Sequence, residues 1–216
     1  MMTNLFSTFD PSTGNTSLNW ISSMILLLMM NYNYWTKLNN TTNLIMKILN
    51  YMKEELTIIM PTSGSSIMFL SMSMFILINN LMGLIPYIFT SPSHLTFSLA
   101  LAMPMWVSFM MYGWINKTNS MFTHLVPMGT PSILMPFMVL IETISNLIRP
   151  GSLAVRLTSN MIAGHLLMAL LGSNCNLMTT MILMIIFMLL MMFETAVSLI
   201  QSYVFMILAT LYSSEI

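Results

Sequence analysis

The sequence predicts an all-α membrane protein: one N-terminal spanning helix, an amphipathic interfacial helix, two further membrane helices and a long, steeply tilted two-helix hairpin. Three observations predict it. Of the 216 residues, 56% are hydrophobic and 6% charged, whereas a soluble domain carries about 25% charged residues. The apolar residues gather in runs long enough to cross a bilayer. The last two runs, 132–171 and 177–212, are joined only by GSNCN. At 1.5 Å per residue each is roughly 50–60 Å long as a helix, against a hydrocarbon layer about 30 Å thick. Helices of that length must tilt or break, and two of them on a short connection make a slanted hairpin.

Residues 1–16 are a polar lead with a Pro-Ser-Thr-Gly turn. Residues 18–35 form the first expected span, ending in Tyr32, Tyr34 and Trp35, an interfacial aromatic cluster, and followed by Lys37. The Asn/Thr-rich stretch 36–43 reads as a loop. Residues 44–60 mix Leu, Ile and Met with Lys47, Lys53, Glu54 and Glu55, the pattern of a helix lying on the membrane surface. Residues 65–116 hold two membrane helices, 65–89 and 95–116. Asn79, Asn80 and Gly83 suit close helix packing in the first, and Pro104 is an expected kink in the second. Residues 117–130 read as a polar loop, and the hairpin follows over 132–212. No separate soluble domain is evident, so residues 1–216 form a single membrane domain. Lys37, Lys47, Lys53 and Lys117 fall on one side if the spans alternate. The positive-inside rule makes that side the matrix or cytoplasm and places the N-terminus opposite.

Several function classes are excluded by composition. Six basic and six acidic side chains give no net charge, so there is no basic footprint for nucleic acid. The single Cys175 allows no internal disulfide or cysteine metal cluster. His94 and His124 read as isolated loop residues without metal spacing. There is no phosphate-binding glycine loop and no nucleophile–base pair, so no nucleotide chemistry and no cofactor are expected on this chain. The 29 methionines admit a Met-rich binding surface. Their company, abundant Ile, Asn and Leu with scarce Arg, Ala, Val and Gly, fits better with the codon usage of an AT-rich organellar genome. The first twenty residues contain no Lys or Arg and do not read as a signal or transit peptide, which suits a protein made inside an organelle.

The chemistry gathers between Glu142 and His165, in ETISNLIRPGSLAVRLTSNMIAGH. On a helix, Glu142, Ser145, Arg149, Ser152, Arg156, Asn160 and Ala163 step by three or four and form one polar track, interrupted at Pro150-Gly151. His165 lies half a turn away from Arg156. Ionisable groups inside a membrane helix cost roughly 2.5–3.5 kcal/mol each on insertion scales, so their presence marks use. A guanidinium stays protonated and cannot relay a proton. Arg156 is therefore either a fixed positive charge that attracts a carboxylate and repels hydronium, or one half of a structural ion pair. No acid stands three or four residues away to make the second reading easy. The second tract brings Glu194, a proton-exchangeable group, and Gln201, which shares its face and can hydrogen-bond Arg156 without neutralising it. Glu194 lies beyond the turn from His165, so the two are placed to face each other across it. The blander alternatives are a packing histidine at 165, Glu142 as partner of Arg149, and Arg149 as an anchor for structure or lipid.

The run LAVRLTSNMIAGHLL, with IETIS upstream and FETAVSLIQSYVF downstream, resembles the a-subunit family of F-type ATP synthases in its mitochondrially encoded form. NNLMGLIPY and FDPST extend the likeness to nearly the whole chain. The resemblance implies a non-catalytic stator subunit of the membrane sector. It would form two proton half-channels against a rotating c-ring of proteolipid subunits, beside peripheral-stalk and other small membrane subunits, in the lipid bilayer of the mitochondrial inner membrane. It maps the family's essential arginine to Arg156 and the intermembrane-side path to His165 and Glu194. The matrix-side acid maps to Glu142, and polar neighbours of the arginine to Asn160 and Gln201. Bacterial members carry a carboxylate where this chain has His165 and a histidine where it has Glu194. Arg149 departs from the pattern, where an uncharged residue is usual. Two other classes compete: an ion-pumping or quinone-linked subunit of a respiratory complex, which would favour lysines within the spans, and a structural subunit, which leaves Arg156 without a use.

Overall fold

Small side chains decide how closely the helices of this protein approach one another. The computed structural model describes residues 5–28, 39–60, 63–126, 129–173 and 180–214. Among them are seven α-helices and no strand: α1 (Ile21–Leu28), α2 (Asn40–Ile59), α3 (Ser63–Gly83), α4 (Leu95–Asn116), α5 (Thr118–Leu125), α6 (Met135–Ser173) and α7 (Thr180–Ser214). Short 3-10 turns cover Leu5–Phe9, Leu18–Trp20 and Ser91–Ser93. Four helices are long and apolar enough to cross a membrane: Gly64–Gly83, Leu95–Asn116, Met135–Ser173 and Thr180–Ser214. The all-α expectation is met.

The most extensive helix pair is α3 on α7. On α3 the buried positions Ser66, Phe69, Ser73, Ile76, Asn80 and Gly83 form a stripe stepping by three and four, with Asn79 buried beside it. On α7 the matching stripe is Glu194, Ser198, Ser202, Phe205 and Ala209. In lipid, apolar side chains gain nothing by leaving one apolar solvent for another. Association rests on van der Waals packing, which small residues maximise by letting backbones approach. The serines carry no polar penalty into this seam, because Ser73, Ser198 and Ser202 donate to the carbonyls of Leu70, Thr195 and Leu199. Larger residues fill the spaces between. Ile76, Ala102, Leu153, Ala154, Leu157 and Phe205 form one core cluster, joining α3, α4, α6 and α7. Leu56, Phe69, Met105, Met206 and Ala209 form a second, which ties α2 to the bundle. The Tyr203 hydroxyl donates to Glu55 Oε2 at 2.9 Å and adds a polar tie between α7 and α2.

Several boundaries differ from the sequence expectation. Helix α2 begins at Asn40, so the expected loop over 36–43 is helical in its described second half. The expected 65–89 span ends at Gly83, and residues 84–90 turn back as α3 gives way to the 3-10 turn. The polar stretch 117–130 is not all loop: α5 occupies Thr118–Leu125, where Ser120 and Thr123 bond back to Lys117 and Ser120 carbonyls and Phe122 packs edge-on against Trp114 at 5.1 Å. Pro150-Gly151 does not interrupt α6, which runs unbroken through both, as α4 runs through Pro104. Each proline removes one helical donor. Packing against neighbouring helices holds the helix through that loss, and Pro150 is itself buried. Part of the first expected span, with the Tyr32, Tyr34 and Trp35 cluster and Lys37, lies outside the described residues, as do Cys175 and most of the GSNCN connection.

Ala154 is fully buried and its neighbour Val155 is 52% exposed. Replacing Ala154 by Leu forces new volume into the α3–α4–α6–α7 core and should cost about 1–3 kcal/mol. Val155→Leu should change stability by less than about 0.5 kcal/mol. Thermal unfolding of the purified protein in detergent compares them; equal midpoints would contradict this core.

Candidate functional site

Because α6 is continuous, its register holds from Glu142 to His165. Its buried face is Leu153, Ala154, Leu157, Thr158, Met161 and Gly164. The polar track lies off that face: Ser152, Arg156 and Ala163 are exposed, and Glu142, Ser145, Arg149 and Asn160 are half-buried. Around the track stand Leu147, Ile148, Val155 and Leu167, all exposed. Arg156 is thus a cation on an outward surface of a membrane-length helix, among serines and apolar side chains. Among the described residues it makes no ion pair, and no hydrogen bond joins it to Asn160 or Gln201. Arg149 is different. Its guanidinium carbon lies 5.0 Å from the centre of the Tyr212 ring, a cation–π contact that ties α6 to the end of α7.

Glu194 is buried on α7, and its carboxyl group rests against Gly164 so closely that a Cβ at position 164 would overlap it. Glycine is the residue that leaves this space. Glu194 therefore reaches α6 one residue from His165, yet no hydrogen bond joins the two side chains among the described residues. The imidazole turns elsewhere. It meets the Phe9 ring edge-on at 6.2 Å. Its Nε2 is buried without a partner among the described residues.

Two cavities flank α6. One, of about 720 Å³, is walled by His165, Met168, Phe187, Phe9, Asp10 and Thr90, so the N-terminal segment forms part of its lining. That segment is pinned by His94, whose Nε2 donates to the Phe9 carbonyl at 2.8 Å while its ring stacks on Phe89. The Ser12 backbone N–H donates to Asp10 at 3.0 Å and, with the Ser12 hydroxyl, holds that exposed carboxyl below its ordinary range. The other cavity, of about 530 Å³, is lined by Glu142, Asn146, Arg149, Tyr212, Trp106 and His124. The two histidines expected to be isolated in loops are therefore not so: His94 caps α4, and His124 lies in the last turn of α5. Among the described residues no group of three metal-ligating side chains gathers.

Gly164, Phe9 and Tyr212 contribute to these sites but are not legible from residue type alone. A glycine beside a histidine in a helix interior is the one local signal, since such a glycine usually has a packing reason. The ring contacts of Phe9 and Tyr212 join residues far apart in the chain.

The arrangement thus offers a fixed external cation between two cavities, one lined by His165 and Asp10 and the other by Glu142 and His124. Comparison with known proteins agrees with the sequence resemblance. The profile of the family described as ATP synthase A chain matches residues 4–214. ATP synthase subunit a of Anopheles quadrimaculatus is 55% identical over 226 aligned positions, covering 100% of both chains. The subunit a of Drosophila simulans is 56% identical and that of Locusta migratoria 55%, again over 100% of both chains. With a family match over nearly its whole length and relatives of this similarity, the chain belongs to the ATP synthase A chain family.

Proposed function

We propose that this chain is the stator subunit of a mitochondrial ATP synthase membrane sector, carrying two proton half-channels against a rotating ring of c subunits, with Arg156 as the charge barrier between them. The observation that carries the reading is the Arg156 side chain itself. It cannot discharge by losing a proton, it stands on an outward face, and no counter-ion comes from the described residues. In this reading its partner is a carboxylate on another subunit. A carboxylate that passes on a rotor answers that need, and the same charge repels a proton trying to cross directly from one path to the other.

The two cavities support the rest. Residues 142 and 165 stand 23 positions apart on α6, about 35 Å along a helix at 1.5 Å per residue, comparable to the bilayer core of about 30 Å. In this reading the His165 cavity, with Glu194 behind Gly164, opens to the intermembrane space, and the Glu142 cavity opens to the matrix. Protons enter past His165 and Glu194 and neutralise a ring carboxyl. Only the neutral form is tolerated by lipid, so the ring turns it away from Arg156. On arrival near Glu142 it loses its proton to the matrix, and the carboxylate returns past Arg156. The membrane potential contributes about 2.3 kcal/mol per proton per 100 mV. Asn160 and Gln201 orient groups near the arginine. The steep tilt of α6 and α7 follows from their length, and lets both lie along the ring. The N-terminus faces the intermembrane space and the C-terminus the matrix. The ring, the peripheral stalk and small membrane subunits are the partners; nucleotide chemistry belongs to other subunits.

Arg156→Gln tests the reading. In a complex confirmed to assemble, coupled ATP synthesis should fall to background and passive proton leak through the membrane sector should rise; normal synthesis would overturn the mechanism. Gly164→Ala tests the intermembrane-side path. The added methyl must displace the Glu194 carboxyl, with strain of about 1–3 kcal/mol, so proton flux should drop. Shortening the acid with Glu194→Asp in the same chain should recover part of it. Equal flux in Gly164→Ala and the parent would contradict the close Gly164–Glu194 approach.

A further inference from the structure

The cavity beside Glu142 holds a second proton-exchanging group, which the reading above leaves unused. We infer that His124 carries protons between Glu142 and the solvent on that side of the membrane, an inference that rests on the proposed function. His124 and Glu142 line the same cavity of about 530 Å³. The carboxyl belongs to a half-buried residue on α6 and the imidazole to an exposed residue on α5, so Glu142 lies inward and His124 at the rim. Helix α5 packs against both α4 and α6, and the edge-on contact of Phe122 with Trp114 fixes it to the end of α4.

The remaining lining says what fills the space. The Trp106 indole N–H is buried, has no partner among the described residues, and belongs to a residue of this wall. Asn146 adds further donors and an acceptor. A cavity of this size admits many waters, each needing two to four polar partners, and the lining supplies them. Among the described residues, the charged and titratable groups that line the cavity with His124 are Glu142 and Arg149 from α6 and Tyr212 from α7; α4 presents none there. Arg149 cannot exchange a proton and lies over Tyr212. The Tyr212 ring is engaged by that guanidinium. That leaves the carboxyl and the imidazole as the exchanging pair. Glu142, protonated by the arriving ring carboxyl, passes its proton through water to the neutral imidazole. This gives a carboxylate and an imidazolium, and the imidazolium releases the proton to solvent. No bond other than those to hydrogen changes, and each group returns to its starting state. An imidazole suits the step because it exchanges protons near neutral pH.

The test uses the assembled complex reconstituted in vesicles, with the pH on each face set independently. His124→Gln should lower proton flux by roughly tenfold, less than the hundredfold or more that a fully essential proton-transfer group contributes, because water still reaches Glu142. It should also flatten the dependence of flux on matrix-side pH. The dependence on intermembrane-side pH should be unchanged. His124→Glu, which keeps an exchangeable group, should restore flux with its pH dependence moved to more acid values. A merely structural histidine would change flux without reshaping one face's pH profile. If neither variant assembles, diethyl pyrocarbonate on the wild-type complex serves: carbethoxylation of His124, quantified by peptide mass spectrometry, should track loss of flux. A wild-type pH profile in His124→Gln, or full flux with His124 modified, overturns the inference. Arg156→Gln run in parallel separates the two claims, since retained coupling there would instead overturn the stator reading.

Discussion

A polar group in hydrocarbon must find a partner, because leaving it without one costs several kcal/mol. That constraint organises this protein. Its helices carry many serines and threonines, and nearly every described one closes on the carbonyl of its own preceding turn: Ser73, Ser108, Ser145, Ser159, Ser198, Ser202 and Thr210 among them. Small polar residues so satisfied act as spacers, and the closest helix pair, α3 on α7, is built from them. Among the larger polar groups, Asn79 still closes on the Phe75 carbonyl of its own helix, but others do not. Among the described residues, the His165 Nε2 and the Trp106 indole N–H are buried without a partner, and the Arg156 guanidinium and the Glu194 carboxyl make no hydrogen bond or ion pair.

The helix lengths and the placement of charge work together. A helix the length of α6 carries Glu142 and His165 to separate cavities while keeping Arg156 between them on one uninterrupted register. Pro150 sits in the middle of that span without breaking it, held by the packing of α4 and α7. Had the helix broken there, the track from Glu142 to Asn160 would have been split between two segments. The N-terminal segment also takes part, since the His94 bond to the Phe9 carbonyl lays residues 7–10 against the His165 cavity. A segment that reads as a polar lead thus becomes a wall of the site.

Much of this was legible in the sequence. The bounds of α4 were readable because a polar turn precedes Leu95 and a charged residue follows Asn116. The track on α6 was readable because its residues step by three and four. The position of Gln201 relative to Arg156 was not. Seven-residue spacing put Gln201 on the Glu194 face, but how far α7 is rotated against α6 depends on Gly164 and the serine stripe. Helix α5 was hidden because it is only two turns long and rich in residues that favour turns; it packs on Trp114 through Phe122. His124 was unreadable as a site residue for the same reason, since only the fold of α5 against α6 brings it to the Glu142 cavity.

The central claim is that the outward track of α6 faces a rotor carboxylate. Site-directed crosslinking tests it most directly. A cysteine at Ser159, one turn from Arg156 on the exposed side, should crosslink in the assembled complex to a small two-helix proteolipid. A cysteine at Ile67, exposed on α3, should not. A Ser159 cysteine that never reaches the proteolipid, in a complex where the ring is present and turning, would contradict the account.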